Sequence, residues 1–202
     1  MSVTSVSRDS DASGHDSTGL RAPTSLDHDR DESTPGPVNS EGKLPAVCLC
    51  MIVKDEIEVL EECFASCREL IDYWVICDTG STDGTQELIR RELVDIPGEL
   101  HERPWVDFGH NRSELMALAR GKADYLLLLD ADWVIDALPE QLANLTADAY
   151  LVRFGTGVDF YRKTLVSGRL DWRFIGAVHE YIVSDEETTT AGAQRQPLRD
   201  VT

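Results

Sequence analysis

The stretch Tyr125-Leu126-Leu127-Leu128-Leu129-Asp130-Ala131-Asp132 constrains the fold more than any other part of the chain. An unbroken apolar run that ends abruptly in acid predicts a strand buried on both faces, because a half-exposed strand would alternate. Such strands belong to parallel sheets with helices on both sides. In extended chain, residues i and i+2 share a side, so Asp130 and Asp132 are expected to converge at the strand's carboxyl end. Two carboxylates that close repel each other unless a cation or a shared proton lies between them. Oxygen donors on such a lip suit a hard divalent ion, Mn²⁺ or Mg²⁺.

The residues before this run repeat the same unit. Ala46 to Val53 is a second continuous apolar run, followed by Lys54-Asp55-Glu56. Asp55 is expected to cap a helix whose inner face carries Ile57, Leu60, Cys63, Phe64, Cys67 and Ile71 at helical spacing. Tyr73 to Cys77 is the next strand, and it ends in Asp78-Thr79-Gly80-Ser81-Thr82-Asp83-Gly84-Thr85. Gly80 and Gly84 permit a tight turn, and Asp83 with Gln86 has the spacing of a capping box for the helix near 84–94. Asp78, last on its strand, is expected to face the crevice where open α/β sheets bind ligands. Glu99 to Arg103 reads as a short strand, and the helix with Leu115, Leu118 and Ala119 on its inner face begins near Asn111-Arg112. Arg112 opposes the macrodipole at that helix start, a place where a cation is useful if a phosphate docks.

After the acidic strand, a short helix is expected over Ala137 to Leu145 and a strand over Tyr150 to Phe154. The pattern then shortens and alternates around Gly168, as antiparallel ribbons do. The order β-α-β-α-β-α-β followed by strand predicts an α/β fold: a Rossmann-like, mostly parallel sheet flanked by helices, with a small antiparallel β appendage. Residues 1–43 are rich in Ser, Thr, Asp, Gly and Pro and are expected to form a disordered acidic tail. The domain is expected over 44–184, with a second polar tail over 185–202.

A formal net charge of -18 argues against a nucleic-acid partner or an anionic membrane surface, both of which need a basic patch. No apolar run reaches transmembrane length, and no basic segment precedes an apolar core at the start, so the expected location is the cytoplasm and not integral to a membrane. Cys48, Cys50, Cys63, Cys67 and Cys77 are odd in number with apolar neighbours, which favours reduced, buried thiols.

Five segments carry a resemblance: Met51 to Glu56, Asp78 to Thr85, Asn111-Arg112, Leu129 to Asp132, and Gly176-Ala177-Val178-His179-Glu180. In that order and spacing, over roughly residues 46–183, the chain resembles family 2 glycosyltransferases of GT-A fold, particularly bacterial ones whose catalytic domain precedes tetratricopeptide-like repeats. The resemblance implies a nucleotide-sugar donor (UDP- or GDP-linked), a divalent metal, and transfer with inversion to a glycan, lipid or protein acceptor. It implies that Asp55, Glu56, Asp78, Gly80, Asn111, Arg112 and Asp130 meet the donor, with Asp78 reading the base and Arg112 near the diphosphate. Asp130, Asp132 and His179 would hold the metal, and the imidazole favours Mn²⁺. Inversion needs a general base, for which Glu180 is nearest. Adjacent residues on a strand face opposite ways, so Glu180 serves beside His179 only if the strand ends there; Asp159 and Asp171 are the alternatives.

Two features depart from that family. Trp133 stands where an acidic residue usually follows D-x-D, and the chain stops soon after His179-Glu180. The second feature raises the expectation of a nucleotide-sugar-binding remnant without turnover. A haloacid-dehalogenase-like phosphatase, with Asp130 as nucleophile, is a further alternative.

Overall fold

The computed structural model describes residues 2–5, 44–137, 142–143, 145–154, 160–177 and 179–191. In chain order they form β1 (Ser2–Ser5), β2 (Val47–Val53), α1 (Leu60–Cys67), β3 (Tyr73–Asp78), α2 (Thr85–Glu92), β4 (Gly98–Glu102), α3 (Phe108–Ala119), β5 (Tyr125–Leu128), β6 (Trp133–Asp136), β7 (Ala149–Phe154), β8 (Phe160–Ser167), β9 (Arg173–Ile175), β10 (Tyr181–Val183) and β11 (Thr190–Ala191). The main sheet runs β4-β3-β2-β5-β8-β7-β1-β6, with β11 on β7, and β9 and β10 make a separate two-stranded ribbon. Pairing is parallel from β4 through β5 and turns antiparallel where β8 enters between β5 and β7.

The apolar runs do what their lack of alternation predicts. Leu126 and Leu127 on β5 are 0% and 1% exposed, so water reaches neither face of the strand. Odd-numbered residues of β2 (Val47, Leu49, Met51, Val53) pack with Leu60, Phe64 and Ile89 from α1 and α2. Cys48 and Cys50 point the other way, onto Leu115, Met116 and Ala119 of α3. The sheet thus separates two cores, which is the layered arrangement an α/β chain needs to bury both faces of its strands. All five cysteines are buried and unpaired. Burial pushes the Cys77 thiol up to about 11, so it stays protonated at neutral pH.

Several local expectations fail for identifiable reasons. Asp55 does not cap α1. It has a φ of +53°, and the residue before the helix is Val59, which makes no side-chain cap. The Asp83–Gln86 capping box does not form either. Gly84 precedes α2, and Gln86 reaches back to Asp78 instead. The strand expected to lie wholly in an antiparallel appendage, β8, is in the main sheet; only β9 and β10 stand apart. The helix expected over 137–145 falls largely outside the described residues, and the chain before it forms β6, which no alternation announced.

The limits of the domain also differ from those read off composition. Ser2–Ser5 add a strand between β7 and β6, a piece too short to register a period. At the other end, Asp148, 3% exposed, accepts hydrogen bonds from the N–H and hydroxyl groups of Thr188 and Thr189 and from Arg169. These bonds fix 188–190 beside β7 and hold the Asp148 carboxyl below its ordinary range. Lys163 likewise binds Glu187 at 2.7 Å, so 185–191 is part of the folded unit.

Candidate functional site

The carboxyl ends of β2, β3 and β5 carry three adjoining hollows. One of about 420 Å³ is lined by Ile52, Glu56, Val59, Phe108, Arg112, Asp130, Ala131 and Asp132. A second of about 510 Å³ shares Phe108, Arg112 and Asp130 and adds Arg162, His179 and Glu180. A third of about 270 Å³ runs over Ile52, Val53, Lys54, Glu56, Thr79, Trp105 and Phe108. Open parallel sheets present ligand crevices at this edge, because the loops that follow the strands diverge there.

The floor under the third hollow is two loops tied together. Asp55 donates its N–H to Ser81 Oγ at 2.9 Å, and its carboxylate accepts from Thr82 N–H at 2.7 Å. Glu56 N–H donates to Thr85 Oγ1 and Ile57 N–H to Asp83 Oδ2. Thr79 N–H closes the set on the Val53 carbonyl at 2.9 Å. Gly80, at φ +110°, makes the turn between them, a conformation that favours glycine. Asp78 lies beneath this turn, 1% exposed. Its carboxylate accepts from Ser81 N–H, from the Ser81 hydroxyl, and from Gln86 Nε2 at 2.7 Å. The expectation that Asp78 faces an open crevice is therefore corrected: its oxygens are already spent on the loop.

Asp130 and Asp132 share the first hollow, but not by strand alternation. β5 ends at Leu128. Trp133 N–H then bonds the Asp130 carbonyl at 3.1 Å, so 130–133 is a turn that reverses the chain into β6. The Cys63 thiol, from α1, donates to the same carbonyl at 3.8 Å. Burial raises the Asp130 carboxyl above its ordinary value; Arg112 and Arg162 pull it down, and Asp132 and Glu180 push it up.

Arg112 is the hub. Its Nη2 meets Asp130 Oδ1 at 2.5 Å and its Nη1 meets Glu180 Oε1 at 2.9 Å, with the Arg and Glu side chains only 12% and 10% exposed. The guanidinium also lies 5.6 Å from the Phe108 ring centre and 5.7 Å from that of Phe174, so its planar faces are covered by aromatics. α3 holds this arrangement against β9. Ser113 Oγ accepts Phe174 N–H at 2.9 Å and donates to the Gly109 carbonyl at 2.6 Å. Asn111, 1% exposed, spends its amide on Val106 N–H and the Pro104 carbonyl, which fixes the segment carrying Trp105 and Phe108. Sequence reasoning set Asn111 among the ligand contacts; its side chain braces the wall behind them.

His179 and Glu180 lie in the gap between β9 and β10, with His179 at φ +58°. Strand alternation does not operate there, which is why both residues line the hollow that holds Asp130. Of the other base candidates, Asp171 is exposed and paired with Arg120 at 3.5 Å, away from these contacts, and Asp159 lies outside the described residues. Trp133 packs edge-on against Phe154, with Arg162 over its ring at 5.0 Å. Arg162, Trp105 and Phe174 carried no signal in the sequence, since isolated cations and aromatics in short alternating strands are ordinary surface residues.

Among the described residues, no group of three or more His, Cys, Asp or Glu side chains is gathered closely enough to hold a metal. The set Asp130, Asp132 and His179 is thus not assembled as three ligands. The two carboxylates still suit a hard dication. They are oxygen donors on an open wall, and Asp130 is made costly to ionise by burial and by Asp132 beside it.

The fold is an α/β domain with a mostly parallel sheet, whose Asp130-Ala131-Asp132 turn lines a hollow at the sheet's carboxyl edge. The family model for glycosyl transferase family 2 matches residues 48–201, and the chain belongs to that family. This membership displaces the dehalogenase-like phosphatase reading. A TPR repeat-containing protein of Synechococcus elongatus is 39% identical over 87 residues, which is 43% of this chain and 20% of that protein. The 1–349 fragment of S. aureus TarS, also solved with UDP and with UDP-GlcNAc, superposes with a TM-score of 0.46 at 17% identity, covering 56% of this chain and 38% of that one. A mycobacterial protein gives 0.39 at 17% identity, over 52% and 39% of the two chains. The chain therefore spans about a fifth of its curated relative and well under half of these structures. No described helix is long and apolar enough to cross a membrane.

One test of the site's construction concerns Gly109. A Cβ there would stand 2.3 Å from the Gly176 carbonyl oxygen, so Gly109→Ala must move Gly176 away from α3. The gain in helix propensity, about 1 kcal/mol, offsets much of an overpacking cost of about 1–3 kcal/mol. The expected result is a melting temperature within a few degrees of wild type, measured by circular dichroism, together with greater proteolysis around Gly176.

Proposed function

We propose that this chain is the donor-binding and catalytic domain of a glycosyltransferase that takes a nucleoside diphosphate sugar and transfers the sugar with inversion. The observation that carries the reading is the placement of Asp130, Asp132, Arg112, Arg162, His179 and Glu180 on two hollows that share Phe108, Arg112 and Asp130 at the carboxyl edge of the parallel strands. Family membership supplies the reaction class. A nucleobase seated over Thr79 and against Trp105 accounts for the third hollow, with Lys54 and Glu56 at its rim. Asp78 then acts through the loop it holds, by keeping Gly80 and Ser81 in place.

Asp130 and Asp132 would hold a Mn²⁺ or Mg²⁺ ion, a hard cation suited to one or two carboxylates. Such an ion would supply charge neutralisation for a departing diphosphate. His179 lines the adjoining hollow with Asp130 and Glu180, apart from Asp132. Glu180 takes the proton of the acceptor hydroxyl, and Arg112 keeps that carboxylate aimed at the cleft.

The test is calorimetric titration of the protein with UDP and with GDP, each with Mn²⁺ and with EDTA. One diphosphate is expected to bind at micromolar Kd with Mn²⁺ and at least about tenfold more weakly in EDTA, because phosphate affinity then rests on side chains alone. A folded protein that binds neither would refute the reading.

A further inference from the structure

We propose that Arg162, a residue with no motif around it, grips the diphosphate of the donor, while Arg112, which the sequence put there, is a positioning residue for Asp130 and Glu180. This deepens the donor reading above and rests on it. The argument begins with charge. A diphosphate entering the cleft needs a cation that is not already spent. Arg112 is spent: both of its terminal nitrogens hold carboxylates, at 2.5 Å and 2.9 Å, and only 12% of the side chain is exposed. Lys163 is spent too, on Glu187 at 2.7 Å and over the Trp172 ring.

Arg162 differs on each count. Its nearest described carboxylate oxygen, Asp130 Oδ2, is 3.9 Å away, beyond hydrogen-bond reach, and its side chain is 36% exposed. The strand it sits on explains its position. β8 pairs antiparallel with β5 at Leu127↔Leu165, and that register continued past the end of β5 sets Arg162 level with Asp130. The opposite side of β8 is backed by β7, where Val152 pairs with Arg162. The guanidinium rests on the Trp133 ring at 5.0 Å, a flat support that orients its planar donors without using them. Trp133 thereby gains a role: in place of an acid after D-x-D, it offers a surface for the cation. A diphosphate entering the hollow beside Asp130 would meet this guanidinium, which can take two phosphate oxygens at once.

The experiment is titration of the diphosphate that binds wild type, at fixed Mn²⁺ and salt, into Arg162→Gln and Arg162→Lys, with melting temperatures measured alongside. Arg162→Gln is expected to weaken binding by about tenfold or more, the size of one lost charge-assisted pair, at an unchanged melting temperature. Arg162→Lys is expected to fall between Gln and wild type, since it restores charge but not the planar fork. An affinity in Arg162→Gln within about twofold of wild type overturns the assignment and leaves the donor reading standing. Equal losses in both variants with a lowered melting temperature also overturn it, because the residue would then be structural. A wild-type protein that binds no diphosphate removes the donor reading and this assignment together.

Discussion

Glu180→Gln is expected to lower sugar transfer by about 10²–10⁴-fold, the range associated with losing a positioned general base. The side chain is 10% exposed and its one described ion pair is with Arg112, so the substitution keeps shape and removes the proton acceptor. Arg112 keeps Asp130, its shorter contact, and stays anchored between Phe108 and Phe174. Donor affinity should therefore hold while turnover falls. The measurement is the rate of nucleoside diphosphate release from the donor, to an acceptor or to water, set against the calorimetric Kd. A rate equal to wild type would assign Glu180 to holding Arg112 and send the search for the base elsewhere.

Asp132→Asn should act on the other quantity. Asp132 lines the cleft and is half-buried, so losing its charge costs little in folding. What it should lose is the gain in nucleotide affinity that Mn²⁺ confers, by about 30-fold or more, equivalent to about 2 kcal/mol for a carboxylate–cation contact. In EDTA the variant should match wild type or bind slightly tighter, since a like charge near the phosphates is gone. Asp130→Asn is the poorer probe, because it also unpairs one end of Arg112. A Mn²⁺ dependence that survives Asp132→Asn would place the ion's main contact on another residue.

The candidate site was legible in proportion to how local its chemistry is. Asp130 and Asp132 stood out because an apolar run cannot end in two acids without a reason, and both line the cleft. Yet the reason given for their convergence was wrong in detail: a turn closed by Trp133 N–H brings them there, not an extended strand. Asp78 was singled out for its position at a strand end and does lie there, but as the buried acceptor that organises the Gly80 turn. Gly109 carried no sequence expectation, and it makes the close approach of α3 to Gly176. Arg162 was invisible because its meaning depends on Asp130, 32 positions away by subtraction, and on a strand register no period reveals.

By itself the sequence determined the layered α/β architecture, the two cores on either side of β2, β3 and β5, and the acidic lip at the end of β5. Those follow from hydrophobic period and burial, which act over a few residues and leave a mark at each one. Tertiary structure alone decided which charges are spent. Arg112 became the bridge between Asp130 and Glu180, and Arg162 was left half-exposed on Trp133, because β8 inserted beside β5 and the ribbon β9–β10 docked on α3. An ion pair depends on a few ångströms between residues far apart in the chain, and a distance of that kind exists only once the strands have chosen their neighbours.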